Sequence, residues 1–246
     1  MSGMSSSLSK KVLRLLSLDE TKENESEIRD LVSEIFSRSC ELYEISRTEA
    51  EPKKPEQILS SCLKKLRTLS NRKESALQRC DFLFVELDKL LENVCLCSDI
   101  ILSENNVKLY FEPERIAVSC CPFLIIDAFL NLISNAVKFS CGDVYATLSS
   151  GARQCVITVR DEAQGENFSL FRPKDGILSV QNTAKLHGGS LLFSSSKNSF
   201  SASMAISTEL PRGKRFHAPP FTSYLEDRFS PVHVGLCDCT DKMIFN

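Results

Sequence analysis

The texture of the chain changes at about Asp81, and that change restricts the folds open to it more than any other feature. From about Lys11 to Glu49 the apolar residues keep helical spacing. Ile28, Leu31, Ile35, Leu42 and Ile45 fall three or four apart, Val32 and Phe36 widen the stripe, and Arg38 interrupts it. The stretch Glu51-Pro52-Lys53-Lys54-Pro55 ends that helix, because each proline removes an N–H and restricts the residue before it. A second helix follows, with Leu59, Cys62, Leu63, Leu66, Leu69 and Leu77 inward and Lys/Arg outward. Two amphipathic helices with a tight connection predict an antiparallel hairpin. Alone it cannot cover its own stripe, so it either pairs with a second copy into a four-helix bundle or packs on the rest of its chain.

Beyond Asp81 short strands alternate with helices. The pattern predicts a helix over Val85–Leu102, a strand pair at Val107–Glu112 and Arg115–Cys120, and a strongly apolar helix over Phe123–Phe139. Strands follow at Val144–Leu148 and Val156–Arg160, then a helix at Ile177–Leu186 and strands at Ser190–Ser194 and Ala202–Leu210. Neighbouring strands with interspersed helices argue for an α+β sandwich and against a doubly wound parallel sheet. Four segments result: a disordered Ser-rich start at 1–10, the hairpin at 11–80, the α/β domain at 81–211, and a tail at 212–246. The tail is rich in aromatics (Phe216, Phe221, Tyr224, Phe229), which predicts docking, either onto its own sandwich or onto a partner.

Thirty Lys+Arg against 32 Asp+Glu leave a net charge of −2, which excludes a protein working mainly as a basic clamp on nucleic acid. No apolar run approaches the ~20 residues of a membrane span, and the first residues lack a signal-peptide core. A soluble, cytoplasmic protein is expected. The 11 cysteines are odd in number, contain no CxxC, and are accompanied by only 3 His. They read as small buried hydrophobes of a reducing compartment, with Cys237-x-Cys239 the least unfavourable place for a metal or redox site.

Three segments carry candidate chemistry. In Asp127–Ser140, Asn131 and Asn135 lie four apart on one helical face, with Lys138 just beyond. Carboxamide oxygens suit a hard cation and an ammonium suits phosphate, although two solvated or capping asparagines give the same spacing. In Val156–Gly165 an acidic residue, Asp161, closes an apolar strand where it can accept a hydrogen bond from a base edge. In Lys174–Gly189, Gly176 opens a helix whose backbone amides could approach a phosphate, and His187-Gly188-Gly189 reads as a helix end in which His187 caps or packs.

Taken in order, these segments resemble the N, G1 and G2 boxes of the catalytic ATP-binding domain of sensor histidine kinases, over about Phe84 to Pro211. The resemblance implies a GHKL-type α/β sandwich binding ATP and Mg2+. Asn135 would hold the metal, Asn131 would share its helix face, and Lys138 would lie near phosphate. Phe139 would flank the adenine and Asp161 would accept its amino group, with Gly165 and Gly176 in the G boxes. In that family the hairpin dimerises and carries a phosphoacceptor His before Glu-[Leu/Ile]-Arg-x-Pro. Here the matching stretch is Ser26-Glu27-Ile28-Arg29-Asp30-Leu31, with Ser26 at the His position, and no His precedes His187. A serine hydroxyl without an adjacent base is a poor nucleophile, so this alignment excludes the ordinary autophosphorylation.

The G boxes depart from the pattern as well. Ala163 and Lys174 replace glycines, and ten residues separate Gly165 from Gly176, so the lid over the nucleotide is nearly absent. Lys174 leaves two readings open, a charge for phosphate or a side chain that fills the site. The expectation is a degenerate kinase-like protein that dimerises and binds a response regulator or a partner histidine kinase. The alternatives are an ATP-dependent histidine kinase acting in trans and, less favoured, an anti-sigma-type binding module.

Overall fold

A computed structural model describes Lys64 and residues 81–239, except 104, 141, 163–174, 197–198, 212 and 228–229. The chain divides into two units, Met1–Leu66 and Arg67–Asn246, and every described residue but Lys64 belongs to the second. The expected disordered start, the hairpin with its Ser26, and Ala163, Gly165 and Lys174 lie outside the described residues.

The domain runs β1 (Leu83–Glu86), α1 (Leu87–Ser103), β2 (Leu109–Pro113), β3 (Ala117–Cys120) and α2 (Pro122–Phe139). It continues with β4 (Val144–Ser150), β5 (Gln154–Asp161), α3 (Asp175–Leu186), β6 (Leu191–Ser196) and β7 (Ser199–Ser207). It closes with β8 (Arg215–Phe216), α4 (Phe221–Glu226) and α5 (Pro231–Leu236). Five strands form one sheet in the order β2-β4-β5-β7-β6, parallel only between β2 and β4. A three-stranded sheet, β3-β1-β8, stands beside it, with β8 parallel to β1.

The alternation of β4 and β5 explains the layering. Val144, Ala146 and Leu148, with Cys155, Ile157 and Val159, point to one buried face under the helices, while Tyr145, Thr147 and Thr158 point away from it. Helix α2 supplies the largest share of the core. Ile125, Phe129, Leu130, Leu132 and Ile133 are essentially inaccessible, and each contributes about 1.5–3 kcal/mol by leaving water. By length and composition α2 could cross a membrane, but most of it is buried inside the domain.

The structure departs from the sequence reading in two elements. The region read as a helix from Val85 begins as strand β1 and becomes helical only at Leu87. Strands β2 and β3, expected to pair, belong to different sheets: β2 pairs with β4 and β3 with β1. The tail docks on its own domain. Its α4 packs on α1, and α5 packs on α1 and α2, with Tyr224, Val232, Val234 and Leu236 buried. Ser230 caps α5 by accepting the His233 backbone N–H at 3.4 Å, and Asn93 donates to the Pro219 carbonyl at 2.8 Å.

Candidate functional site

Helices α2 and α3 lie side by side and run in opposite directions, so the start of α3 faces the middle of α2. Gly176, in the first turn of α3, sits against Asn131; a Cβ there would stand 2.8 Å from Asn131 Oδ1. Any larger residue there would push the Asn131 carboxamide aside. The Asn131 amide nitrogen donates to the Asp127 carbonyl at 2.9 Å, one turn back, which turns the oxygen toward α3. Asn131 and Asn135 are both half-buried, and Phe139, one turn further on, is 55% exposed.

The last turn of α2 is tied to the end of β5 by Ser140. Its backbone N–H closes the helix on the Ala136 carbonyl at 2.7 Å. Its hydroxyl accepts the Gly142 N–H at 3.1 Å and the Glu162 N–H at 3.4 Å and donates to the Gly142 carbonyl at 3.0 Å. Asp161, the residue before Glu162, is buried, and its Oδ1 accepts the Phe200 backbone N–H at 3.2 Å. The carboxylate is therefore fixed in direction by the neighbouring strand β7. Of the expected site residues, Asn131, Asn135 and Phe139 share α2, Gly176 packs on Asn131, and Asp161 ends β5 with its carboxylate bonded to β7, while Gly165 lies outside the described residues.

Lys138 has a different partner from the expected one. Its Nζ pairs with Asp238 Oδ2 at 3.2 Å, each side chain about a third exposed. Next to it, Cys239 Sγ donates to Ser134 Oγ at 3.3 Å. No local signal announces these contacts, because they join residues a hundred positions apart. Four of the described thiols are held protonated by burial. Burial pushes Cys97 and Cys155 up to about 12 and raises Cys95 and Cys120 further. Among the described residues no group of three or more His, Cys, Asp or Glu could hold a metal. A magnesium ion here would depend on the Asn131 and Asn135 carboxamide oxygens, on water, and on phosphate oxygens that come with it, as is usual for this ion. The chemistry of these oxygen donors, half-buried on one face of α2, fits such a group.

At the other end of α3, His187 is fully buried. Its Nδ1 donates to the Thr183 carbonyl at 2.7 Å, and its Nε2 accepts the Cys121 backbone N–H at 2.9 Å, at the cap of α2. Both nitrogens are used by the neutral ring, and burial lowers its pKa below 6.5. It is a structural joint, as the His-Gly-Gly reading expected. Gly188 takes φ +67°, and Gly188 and Gly189 return hydrogen bonds to Lys185 and Ala184, which completes the helix end. A separate hollow of about 510 Å3, lined in part by Arg153, Gln154, Ser207 and Glu209, shares no residue with the Asn131 site.

No protein-family model matches the chain, and no curated protein matches it. Solved structures do. The chain is similar to Acinetobacter baumannii histidine kinase AdeS, with a TM-score of 0.54 and 16% identity over 84% of this chain and 96% of that one. The nucleotide-free catalytic domain of histidine kinase ThkA gives 0.48 at 17% identity, over 52% of this chain and 96% of its own. A histidine kinase from Burkholderia phymatum STM815 gives 0.46 at 16% identity, over 78% and 100%. The fold is the α/β sandwich of the histidine kinase catalytic domain. At these identities the likeness is one of fold.

Proposed function

We propose that this chain is a cytoplasmic, histidine-kinase-like protein of two-component signalling that keeps a nucleotide site but does not phosphorylate itself. The observation that supports it best is the polar face of α2, where Asn131 and Asn135 stand one turn apart and half-buried beside the start of α3. Asn131 packs directly against Gly176, where a Cβ would stand 2.8 Å from its carboxamide oxygen, so the first turn of α3 is brought up to the polar face of α2. In this reading Asn135 and Asn131 offer oxygens to Mg2+, Lys138 offers charge to phosphate, and Phe139 and Asp161 take the base. The magnesium ion would neutralise phosphate charge. The chain's own groups bind and orient the nucleotide, and Ser140 keeps Asp161 in register with α2. With Ser26 in place of the phosphoacceptor histidine, signalling runs through binding: the protein forms a homodimer through 11–80 and engages a response regulator or a partner histidine kinase.

Thermal unfolding with Mg-ADP, repeated on Asp161→Ala, tests the site. Ligand at 100 times its dissociation constant adds about 2.7 kcal/mol, or roughly 5–10 °C for a domain of this size. A shift that the variant abolishes supports the reading. No shift at millimolar nucleotide for the wild-type chain or any variant removes the nucleotide site from it. Transfer of labelled phosphate to a partner protein would favour the trans-acting kinase instead.

A further inference from the structure

We propose that residues 230–239 are a latch on the candidate site, in which Asp238 holds Lys138 as its counterion and a nucleotide phosphate displaces it. The inference rests on the nucleotide reading above and adds a regulation to it. Lys138 is the cation assigned to phosphate, yet its ammonium already has an anion at 3.2 Å. That anion arrives on a segment built to lie against α2. Gly235 lets α5 approach so closely that a Cβ there would touch the Leu130 side chain at 3.0 Å. Cys239 reaches the Ser134 hydroxyl, and the Asn105 amide nitrogen donates to the Cys239 carbonyl. These contacts place Asp238 one turn along the helix from Ser134, opposite Lys138.

Two anions, a carboxylate and a phosphate, compete for one ammonium. Where both approach, their mutual repulsion weakens whichever binding comes second. The coupling has to run both ways: nucleotide loosens the latch, and a seated latch weakens nucleotide. A protein that binds α5 away from α2 would then open the site, which gives the tail a way to pass a signal inward.

The test uses the full chain, with Mg-ADP titrated by calorimetry at low and high salt and amide exchange followed across 230–239. Asp238→Asn removes the competing charge, and Gly235→Val lifts α5 without altering any charge. The latch predicts that Asp238→Asn binds Mg-ADP about three- to five-fold tighter, the size of a partly exposed ion pair, and that the gain shrinks at 1 M salt. It also predicts faster exchange in 230–239 when Mg-ADP binds the wild-type chain. Tighter binding by both variants supports the latch. Wild-type binding that both variants leave unchanged, with no change in exchange, overturns the latch and leaves the nucleotide site standing. Failure of the wild-type chain and both variants to bind overturns both.

Discussion

Where α2 begins and α3 finishes, His187 has both ring nitrogens bonded inside the protein and the Gly188-Gly189 turn closes against β7. At the opposite end of the same helix pair, Asn131 packs against Gly176, both residues half-buried. The first arrangement tolerates no ligand and leaves little room for another side chain. The second leaves two carboxamides half-buried, one of them against a glycine. The domain thus has a closed joint at one end of the pair and partly exposed polar side chains at the other, so substitutions at the two ends should differ in kind.

The largest effect is expected at the closed end. A side chain at Gly189 would run into the Ala205 carbonyl on β7, a backbone atom that cannot swing aside. Gly189→Val should therefore fail to fold, or unfold in urea with a loss above ~4 kcal/mol. His187→Ala removes a buried ring and takes its acceptor from the Cys121 N–H, while the Thr183 carbonyl keeps the backbone N–H of residue 187. A loss of about 3 kcal/mol in the same assay is expected. A loss under ~1 kcal/mol would mean the joint is not the rigid end.

Titration sharpens the contrast. Burial lowers the pKa of His187, and that of His233 in the tail, below their ordinary 6.5. Unfolding lets each ring bind a proton it refuses when folded, so stability is fully present above 6.5 and falls as pH drops below it toward the folded values. Unfolding curves between pH 7.5 and 5 should show the decline, and His187→Phe with His233→Phe should flatten it. Equal slopes in the double variant and the parent would place the titrating groups elsewhere.

Between the two ends, the Thr183 hydroxyl is buried with no hydrogen-bond partner among the described residues. Thr183→Val keeps the shape and removes an unpaired polar group, so a gain of about 1 kcal/mol is expected. The smallest effect belongs to the open end. Asn131 is half-buried and, among the described residues, its side chain bonds a carbonyl of its own helix, so Asn131→Ala should cost about 0.5 kcal/mol of stability. A loss comparable to that of His187→Ala would make the site a packing element and erase the distinction.

Local patterns made α2 and its asparagine face legible, since Leu130, Ile133 and Ala136 do face the core and Asn131 does face a glycine. Asp161 at a strand end and His187 at a helix end were legible for the same reason: each is marked by residues within a few positions. The errors fall where the structure depends on distant partners. Leu83–Glu86 carries an apolar pattern continuous with α1, and only its pairing with β3 makes it a strand. Strands β2 and β3 are close in sequence, and adjacency suggested a hairpin. Yet Leu109 pairs with Val144, and Val118 with Val85. The Asp238–Lys138 pair spans a hundred residues and left no trace that spacing could show.

The parallel pairing of β8 with β1 also bears on how the domain is made. Phe84 aligns with Arg215, and Glu86 bonds the Arg215 guanidinium at 2.7 Å, so the first strand of the domain waits for one of its last. Until residues 215–236 have left the ribosome, α1 lacks the cover of α4 and α5, and β1 keeps one edge open. Contacts of such long sequence separation close late and slow a folding reaction, and at roughly 5–20 residues per second of synthesis the uncovered state lasts for seconds. The nascent chain therefore presents apolar surface to its surroundings for most of its birth, and its yield in a cell should depend on the chaperones that meet it there.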